Sequence, residues 1–128
     1  MNNWFKPNPK KFQEALKYLK IKHPNSNTLE ILFKAEIAHL NLYGRPISGI
    51  NYIKSKNSIK SVEKIIDIDQ NLDLNVFSIS DLEILDKKLD ILDLSPFKEN
   101  QIIDYKKLIT NPEVLDDLNE IDPFCIVI

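Results

Sequence analysis

Few residues of this 128-residue chain belong to types that carry out covalent or metal chemistry: two histidines, His23 and His39, and one cysteine, Cys125. A zinc site would have to draw heavily on carboxylates, because His23, His39 and Cys125 supply so few nitrogen or sulfur ligands. Pairing of Cys125 with His23 or His39 is the nucleophilic arrangement the composition permits, and a cysteine in a chain tail is poorly placed for a rigid catalytic geometry. The run Asp67-Ile-Asp69-Gln-Asn71-Leu-Asp73 spaces its oxygen ligands as a calcium loop does. It then places Leu72 where the loop needs glycine and Ser78 where a bidentate carboxylate closes the shell, which reads as a solvated acidic segment. The two glycines, Gly44 and Gly49, are separated by Arg45-Pro46-Ile47-Ser48 and lack the Lys-Ser/Thr ending of a phosphate-binding loop. Arg45 is suited to a carboxylate or phosphate, and equally to anchoring its own turn through backbone carbonyls. Cys125-Ile126-Val127-Ile128 has the form of a prenylation box with an atypical last residue; the other readings are a docked apolar tail or a protease-accessible degron. No cofactor, metal or catalytic constellation is expected.

Such residues need a scaffold, and the chain is long enough for one core. At 43% hydrophobic residues, a single domain is expected over residues 1–128, with the core in roughly 9–109 and a short helix and apolar tail in 110–128. The net charge of −2 selects neither nucleic acid nor acidic lipid. It conceals a split: residues 1–64 hold 12 basic and 4 acidic side chains, and residues 65–128 hold 5 and 15, net +8 against −10. Either the halves pack together and offset one another, or two charged faces persist and one recruits a partner. The single cysteine cannot close an internal disulfide, no hydrophobic run approaches the ~20 residues of a membrane span, and Met1–Lys11 lacks the apolar stretch of a secretion signal. A cytoplasmic location is expected.

The fold class expected is α+β, mainly α-helical: a central apolar helix surrounded by further helices, with a small antiparallel β-sheet. Phe12, Ala15, Leu16 and Leu19 recur at helical spacing between Pro9 and Lys22, and His23-Pro24 ends that helix. Trp4 and Phe5 ahead of it are expected to fold back as a lid. Asn27-Thr28-Leu29-Glu30 caps a second helix, whose apolar residues from Leu29 to Tyr43 cover most of its circumference and make it the central one. Gly44 closes it, and Arg45-Pro46 keeps it from resuming. Ile50 to Ile53 alternates as a short strand, Ser58 to Asp67 has helical spacing, and Leu72, Leu74 and Val76 suggest a second strand that pairs with the first. Ser80-Asp81-Leu82-Glu83 reads as a capping box for a helix with Leu82, Leu85, Leu89 and Leu92 on one stripe. Ser95-Pro96 predicts a helix toward Leu108, and Asn111-Pro112 a last short one over Glu113–Leu118.

The run from Leu32 to Gly49, with its His39-Leu40 pair and Tyr43-Gly44-Arg45-Pro46-Ile47-Ser48-Gly49, followed by Tyr52-Ile53-Lys54, resembles the signature of the Panacea domain, also called the SocA-like antitoxin domain. The stretch Phe77 to Asp86, with Ser80 and Asp81, resembles that family's second patch, a serine-capped helix after a short strand. The likeness spans roughly residues 9–109. It departs where family members carry a Gly-Pro-Val-Pro segment and this chain has Lys56-Asn57-Ser58-Ile59-Lys60-Ser61. The resemblance implies a non-enzymatic antitoxin of a type II toxin-antitoxin pair that neutralises its cognate toxin by direct contact; one founding member also delivers its toxin to a ClpXP-type protease. It singles out His39, Tyr43, Gly44, Arg45, Pro46, Gly49, Tyr52, Lys54, Ser80 and Asp81 as motif or partner-binding candidates, with Trp4 and Phe97 as further aromatic anchors if exposed. The altered turn keeps a second reading open, an accessory or regulatory protein of a phage or mobile element with a partner that is not a toxin. Binding to nucleic acid by this chain alone is not expected, since no recognition-helix motif accompanies the basic half.

Overall fold

A computed structural model describes residues 5–56, 58–66, 71–89 and 97–114. Helix α1 spans Pro9–Lys22, started by Asn8, whose side chain accepts from the Lys11 N–H, and ended at His23 before Pro24. Its apolar stripe of Phe12, Ala15, Leu16 and Leu19 is buried, as the spacing predicts. Helix α2 spans Thr28–Tyr43 and is capped by the Asn27 side chain on the Glu30 N–H. α2 packs against α1, against helix α3 (Ile79–Leu85) and against the sheet, so it is the central element. Its buried face mixes Leu32, Phe33, Ala35 and Leu40 with two polar residues, Glu36 and His39. Only its last turn, with Leu42 and Tyr43, faces out.

Strands β1 (Tyr52–Ser55) and β2 (Ser58–Ser61) form a two-stranded antiparallel hairpin, with Tyr52 opposite Ser61 and Ser55 opposite Ser58. The fold class is therefore α+β, but the second strand is not where alternation at 72–76 places it. Residues 58–61 form that strand in place of the expected helix start, because only Ile59 of the supposed helical stripe is buried; Val62, Ile65 and Ile66 remain about half exposed. A β-branched residue flanked by Ser58 and Lys60 suits a pleated surface with one wet face. Leu74–Val76 is instead a single 3-10 turn, capped by the Asp73 side chain on the Asn75 N–H.

Two further helix expectations fail for identifiable reasons. α3 starts two residues earlier than the Ser80 reading: Ser78 is the cap, accepting from the Asp81 N–H while Asp81 accepts from the Ser78 N–H, and the helix ends at Leu85 rather than running on through Leu89. Residues 97–104 are not helical. They run along the open edge of β1, where Asn100 N–H donates to Lys54 O at 2.8 Å and Ile103 N–H to Tyr52 O at 2.8 Å, so the edge is covered rather than left to pair with another chain. A 3-10 turn, Tyr105–Leu108, follows. Asn111 caps residues 112–114 through the Glu113 N–H, as expected. Trp4, Leu92, Ser95-Pro96, most of the acidic Asp67–Asp73 run, the remainder of the last helix and the tail with Cys125 lie outside the described residues.

The charge split is partly resolved by pairing between the halves: Lys10 with Asp73, Lys11 and Arg45 with Asp81, and Lys22 with Asp86. Asn41 ties down the end of the described chain. Its carbonyl oxygen accepts from the N–H groups of Thr110 and Asn111, its amide donates to Leu108 O, and Asn111 donates back to its backbone carbonyl.

Both glycines have left-handed backbone, φ 83° at Gly44 and 72° at Gly49, but they carry different loads. At Gly44 a Cβ meets nothing within 4 Å; at Gly49 it lands 2.7 Å from two carbons of the Phe5 ring, which packs edge-on against Tyr105. Gly44→Ala is expected to cost about 1 kcal/mol, from backbone strain alone, and Gly49→Ala about 2 kcal/mol, strain plus displacement of Phe5. Urea denaturation of both variants checks this. Equal losses would mean that Phe5 is not held over Gly49.

Candidate functional site

The turn between α2 and β1 is held by two buried carboxylates, one from α2 and one from α3. Glu36, one helical turn before His39-Leu40, is fully buried under residues 48–52. Its Oε1 accepts the backbone N–H groups of Ser48 (2.5 Å) and Gly49 (3.0 Å), and its Oε2 accepts the hydroxyls of Ser48 (2.8 Å) and Tyr52 (2.5 Å). Tyr105 has a single proton and spends it on Ile50 O at 2.5 Å, leaving a weaker 3.3 Å contact to Glu36. Burial pushes the Glu36 carboxyl above the usual carboxylate range, and the hydrogen bonds from Tyr52, Gly49 and Ser48 pull against it. Burial and the nearby carboxylate raise both tyrosines well above 10, which keeps them proton donors.

Asp81, from the first turn of α3, is the second carboxylate and is likewise fully buried. Lys11 of α1 donates to its Oδ2 at 2.7 Å, Arg45 to its Oδ1 at 3.2 Å, and the Ser78 backbone N–H to its Oδ2 at 2.9 Å. Burial alone raises its pKa, but Lys11, the Ser78 amide and Arg45 together outweigh burial and hold it below the normal value. Arg45 also donates to Pro46 O and to Ser78 Oγ, so it both anchors its own turn and joins that turn to the α3 cap.

His39 completes the cluster, and its tautomer follows from its partners. Nδ1 faces Arg45 O at 2.6 Å; a carbonyl can only accept, so Nδ1 carries the proton. In the neutral ring Nε2 then accepts from Ser80 Oγ at 2.9 Å, and Ser78 Oγ donates to Ser80 Oγ at 2.9 Å. Burial lowers the His39 pKa, with the Arg45 charge adding to it and the Arg45 carbonyl and Asp81 opposing, so the ring is neutral near pH 7. The Ser80–His39 pair has the spacing of a nucleophile and its base, yet differs from a hydrolytic site in two respects. Asp81 lies 3.3 Å from Nε2, the nitrogen that faces the serine, rather than from Nδ1. Three of the backbone donors near the serine are spent inside the α3 cap, with Ser78 N–H on Asp81, Asp81 N–H on Ser78 Oγ and Leu82 N–H on Ser78 O, so none of these three is free to stabilise an oxyanion.

The ten candidate residues fall into two groups. His39, Pro46, Gly49, Tyr52 and Asp81 are buried and shape the turn from behind, while Tyr43 is exposed and Gly44, Arg45, Lys54 and Ser80 are partly so. Tyr43 stacks on His39 and donates to Glu83, and Lys54 donates to Phe97 O, with Phe97 half-buried against the core. Glu36, Lys11, Ser78 and Tyr105 are the members that reading for motifs passes over. Glu36 was detectable in principle: it lies four residues after Leu32 and four before Leu40, so a helix buried on that face must supply its carboxylate with donors. Among the described residues, no three His, Cys, Asp or Glu side chains gather as a metal site, and no helix is long and apolar enough to cross a membrane. No model of a protein family, no curated protein and no solved structure matches the chain.

Proposed function

We propose that this chain is a non-enzymatic, cytoplasmic interaction protein, the antitoxin of a type II toxin-antitoxin pair, which neutralises its toxin by direct binding. The observation that carries the reading is the meeting of the two sequence stretches that resemble the Panacea domain. They are separated by 22 residues in the chain, yet His39 and Arg45 of the first and Ser80 and Asp81 of the second share one hydrogen-bonded cluster. A pair of motifs kept for a common fold would be expected to contact each other in this way. The cluster supplies rigidity rather than a reaction centre. Beside it, Leu42 and Tyr43 at the end of α2 and Ile79 at the start of α3, 87% exposed, offer apolar side chains on helix ends that are pinned together. Such exposed apolar anchors on a rigid base are what a protein interface uses. Delivery of the toxin to a ClpXP-type protease comes with the same resemblance as a second role.

One observation favours the other reading, a mobile-element accessory protein with a harmless partner: where the family pattern is missing, Ser58–Ser61 form strand β2 and Lys56 has left-handed backbone. Co-expression separates the two. With the product of the adjacent gene, growth should be arrested by that product alone and restored by this chain, and Ile79→Glu should abolish rescue while leaving the denaturation midpoint within about 0.5 kcal/mol of the parent, as an exposed substitution does. A non-toxic neighbour that still co-purifies would replace the antitoxin reading with the accessory one. Rescue that survives both Ile79→Glu and Tyr43→Asp would move the interface elsewhere.

A further inference from the structure

A groove of about 370 Å³ opens where the start of α1 meets the Arg45 turn, and its charge is one-sided. Lys6, Lys11 and Arg45 line it, Phe5, Pro46 and Ile47 supply apolar wall, and among the described residues no acidic side chain lines it. All three cations come from the basic half of the sequence. Unlike Lys10 and Lys22, they are only partly offset by the acidic half: one carboxylate, Asp81, is shared between Lys11 and Arg45, and Lys6 has no partner among the described residues. Unspent donors remain on the two that are paired. Lys11 gives one of its three N–H bonds to Asp81, and Arg45 uses its Nη1 on Pro46 and Asp81 and a single Nη2 bond on Ser78, leaving Nε–H and the second Nη2 hydrogen. Asp81, held charged and buried behind them, fixes both cations without occupying the groove.

We propose that this groove recognises a carboxylate carried on an apolar stem, presented by an acidic segment of a protein partner. The walls and the donor set favour carboxylate over phosphate. Phosphate sites recruit backbone amides, but of those lining this groove the Gly49 N–H is taken by Glu36, the Lys11 N–H by Asn8 and the Asn8 N–H by Ser48 O, and Pro46 has none. The side-chain donors are a guanidinium edge, which fits a carboxylate in bidentate fashion, flanked by two ammonium groups and by apolar surface that a phosphate cannot use. That the carboxylate arrives on a protein rests on the interaction function proposed above.

The test is a titration of the ¹⁵N-labelled full chain, followed by NMR, with the capped peptide Ac-Leu-Glu-Leu-Glu-NH₂, with its glutamine counterpart, and with inorganic phosphate at equal ionic strength. The glutamate peptide should give saturable shifts at Arg45 Nε–H and at the Lys6 and Gly49 amides; the glutamine peptide should give none, and phosphate should bind at least about tenfold more weakly. Lys6→Glu should weaken the glutamate peptide about threefold to tenfold at low salt, with an unchanged denaturation midpoint because Lys6 holds nothing in the fold. Arg45→Gln should abolish binding, and Lys6→Glu keeps the test decisive should that variant fold poorly. Phosphate binding as tightly as the peptide, equal binding of the glutamine peptide, no saturation, or indifference to Lys6→Glu each overturns the proposal. The titration reads the groove alone and growth rescue reads the toxin partnership, so either can fail without the other.

Discussion

Replacing Glu36 by alanine is expected to cost about 4 kcal/mol or more, enough to unfold a domain of ordinary stability. The reason is the number of donors that converge on it. Two backbone N–H groups and two hydroxyls point at its carboxylate within a volume that water does not reach, and each buried donor left without a partner costs roughly 1–3 kcal/mol. The amides of Ser48 and Gly49 cannot turn away, because the left-handed backbone at Gly49 fixes their direction. Glu36→Gln should be far milder, about 1–2 kcal/mol: its amide oxygen can keep the two N–H bonds, and its NH₂ can donate to the Tyr52 and Ser48 hydroxyls, which rotate to accept. Urea denaturation of the two variants gives the ordering, and a Glu36→Ala variant within 1 kcal/mol of the parent would remove Glu36 from the account of the turn. The pH dependence supplies a sign. A carboxyl whose folded pKa is raised takes up more protons folded than unfolded, so its contribution is most favourable below its ordinary value of 4.5 and is lost as pH climbs through the raised one. The stability advantage of the parent over Glu36→Gln should therefore shrink with rising pH.

Glu36 also shows where sequence reading runs out. Helices α1 and α2, the Asn27 cap and the Gly44 stop were legible because each rests on local rules: apolar residues at three and four, a side-chain acceptor at the first turn, a residue that accepts left-handed backbone. The segment 58–66 misled because Ile59, Val62, Ile65 and Ile66 have helical spacing yet only Ile59 meets the core; whether an apolar residue is buried is decided by α2 and not by its neighbours in the chain. Residues 97–104 lost their expected helix to a non-local demand, the unpaired N–H and C=O groups along β1. At the site, Arg45 and Asp81 could be picked out by resemblance. That they meet, and meet Lys11 some seventy residues from Asp81, depends on how α1 and α3 dock on α2, which periodicity does not specify. The cap of α3 was misplaced by two residues because Ser78 and Ser80 both suit the role; the side chain that completes the box is Asp81, and it selects Ser78.

Asp81→Asn tests that docking directly and is expected to cost about 3 kcal/mol. The change retains shape and some hydrogen bonding to the Ser78 N–H, so the loss is that of a buried anion from a cluster whose cations stay behind. Lys11 is almost as buried as Asp81, whereas the Arg45 side chain, 39% exposed, can recover part of its solvation, which keeps the figure below the upper end for a broken buried pair. Asp86 is the internal control. It accepts from Lys22 at 2.8 Å and from Tyr18, but the Lys22 pair is nearly half exposed, and Asp86→Asn should change stability by no more than about 1 kcal/mol. The acid limb distinguishes the two further. Asp81, with its folded pKa depressed, contributes stability that is complete above its unfolded value of 3.8 and is lost as pH falls through the depressed one. His39 is also depressed, so its neutral form is the folded one; its contribution is complete above 6.5 and declines as pH falls from there toward the depressed value. Charging His39 places a cation beside Arg45 and Lys11, and Asp81 is the group that offsets it. Asp81→Asn should thus lose stability more steeply than the parent between pH 6.5 and 5, while Asp86→Asn follows the parent over that interval. Should the two variants prove equally stable and equally sensitive to acid, α1, the Arg45 turn and α3 would not be joined through Asp81, and the rigid base on which both the apolar helix ends and the cationic groove depend would have to be sought in another part of the core.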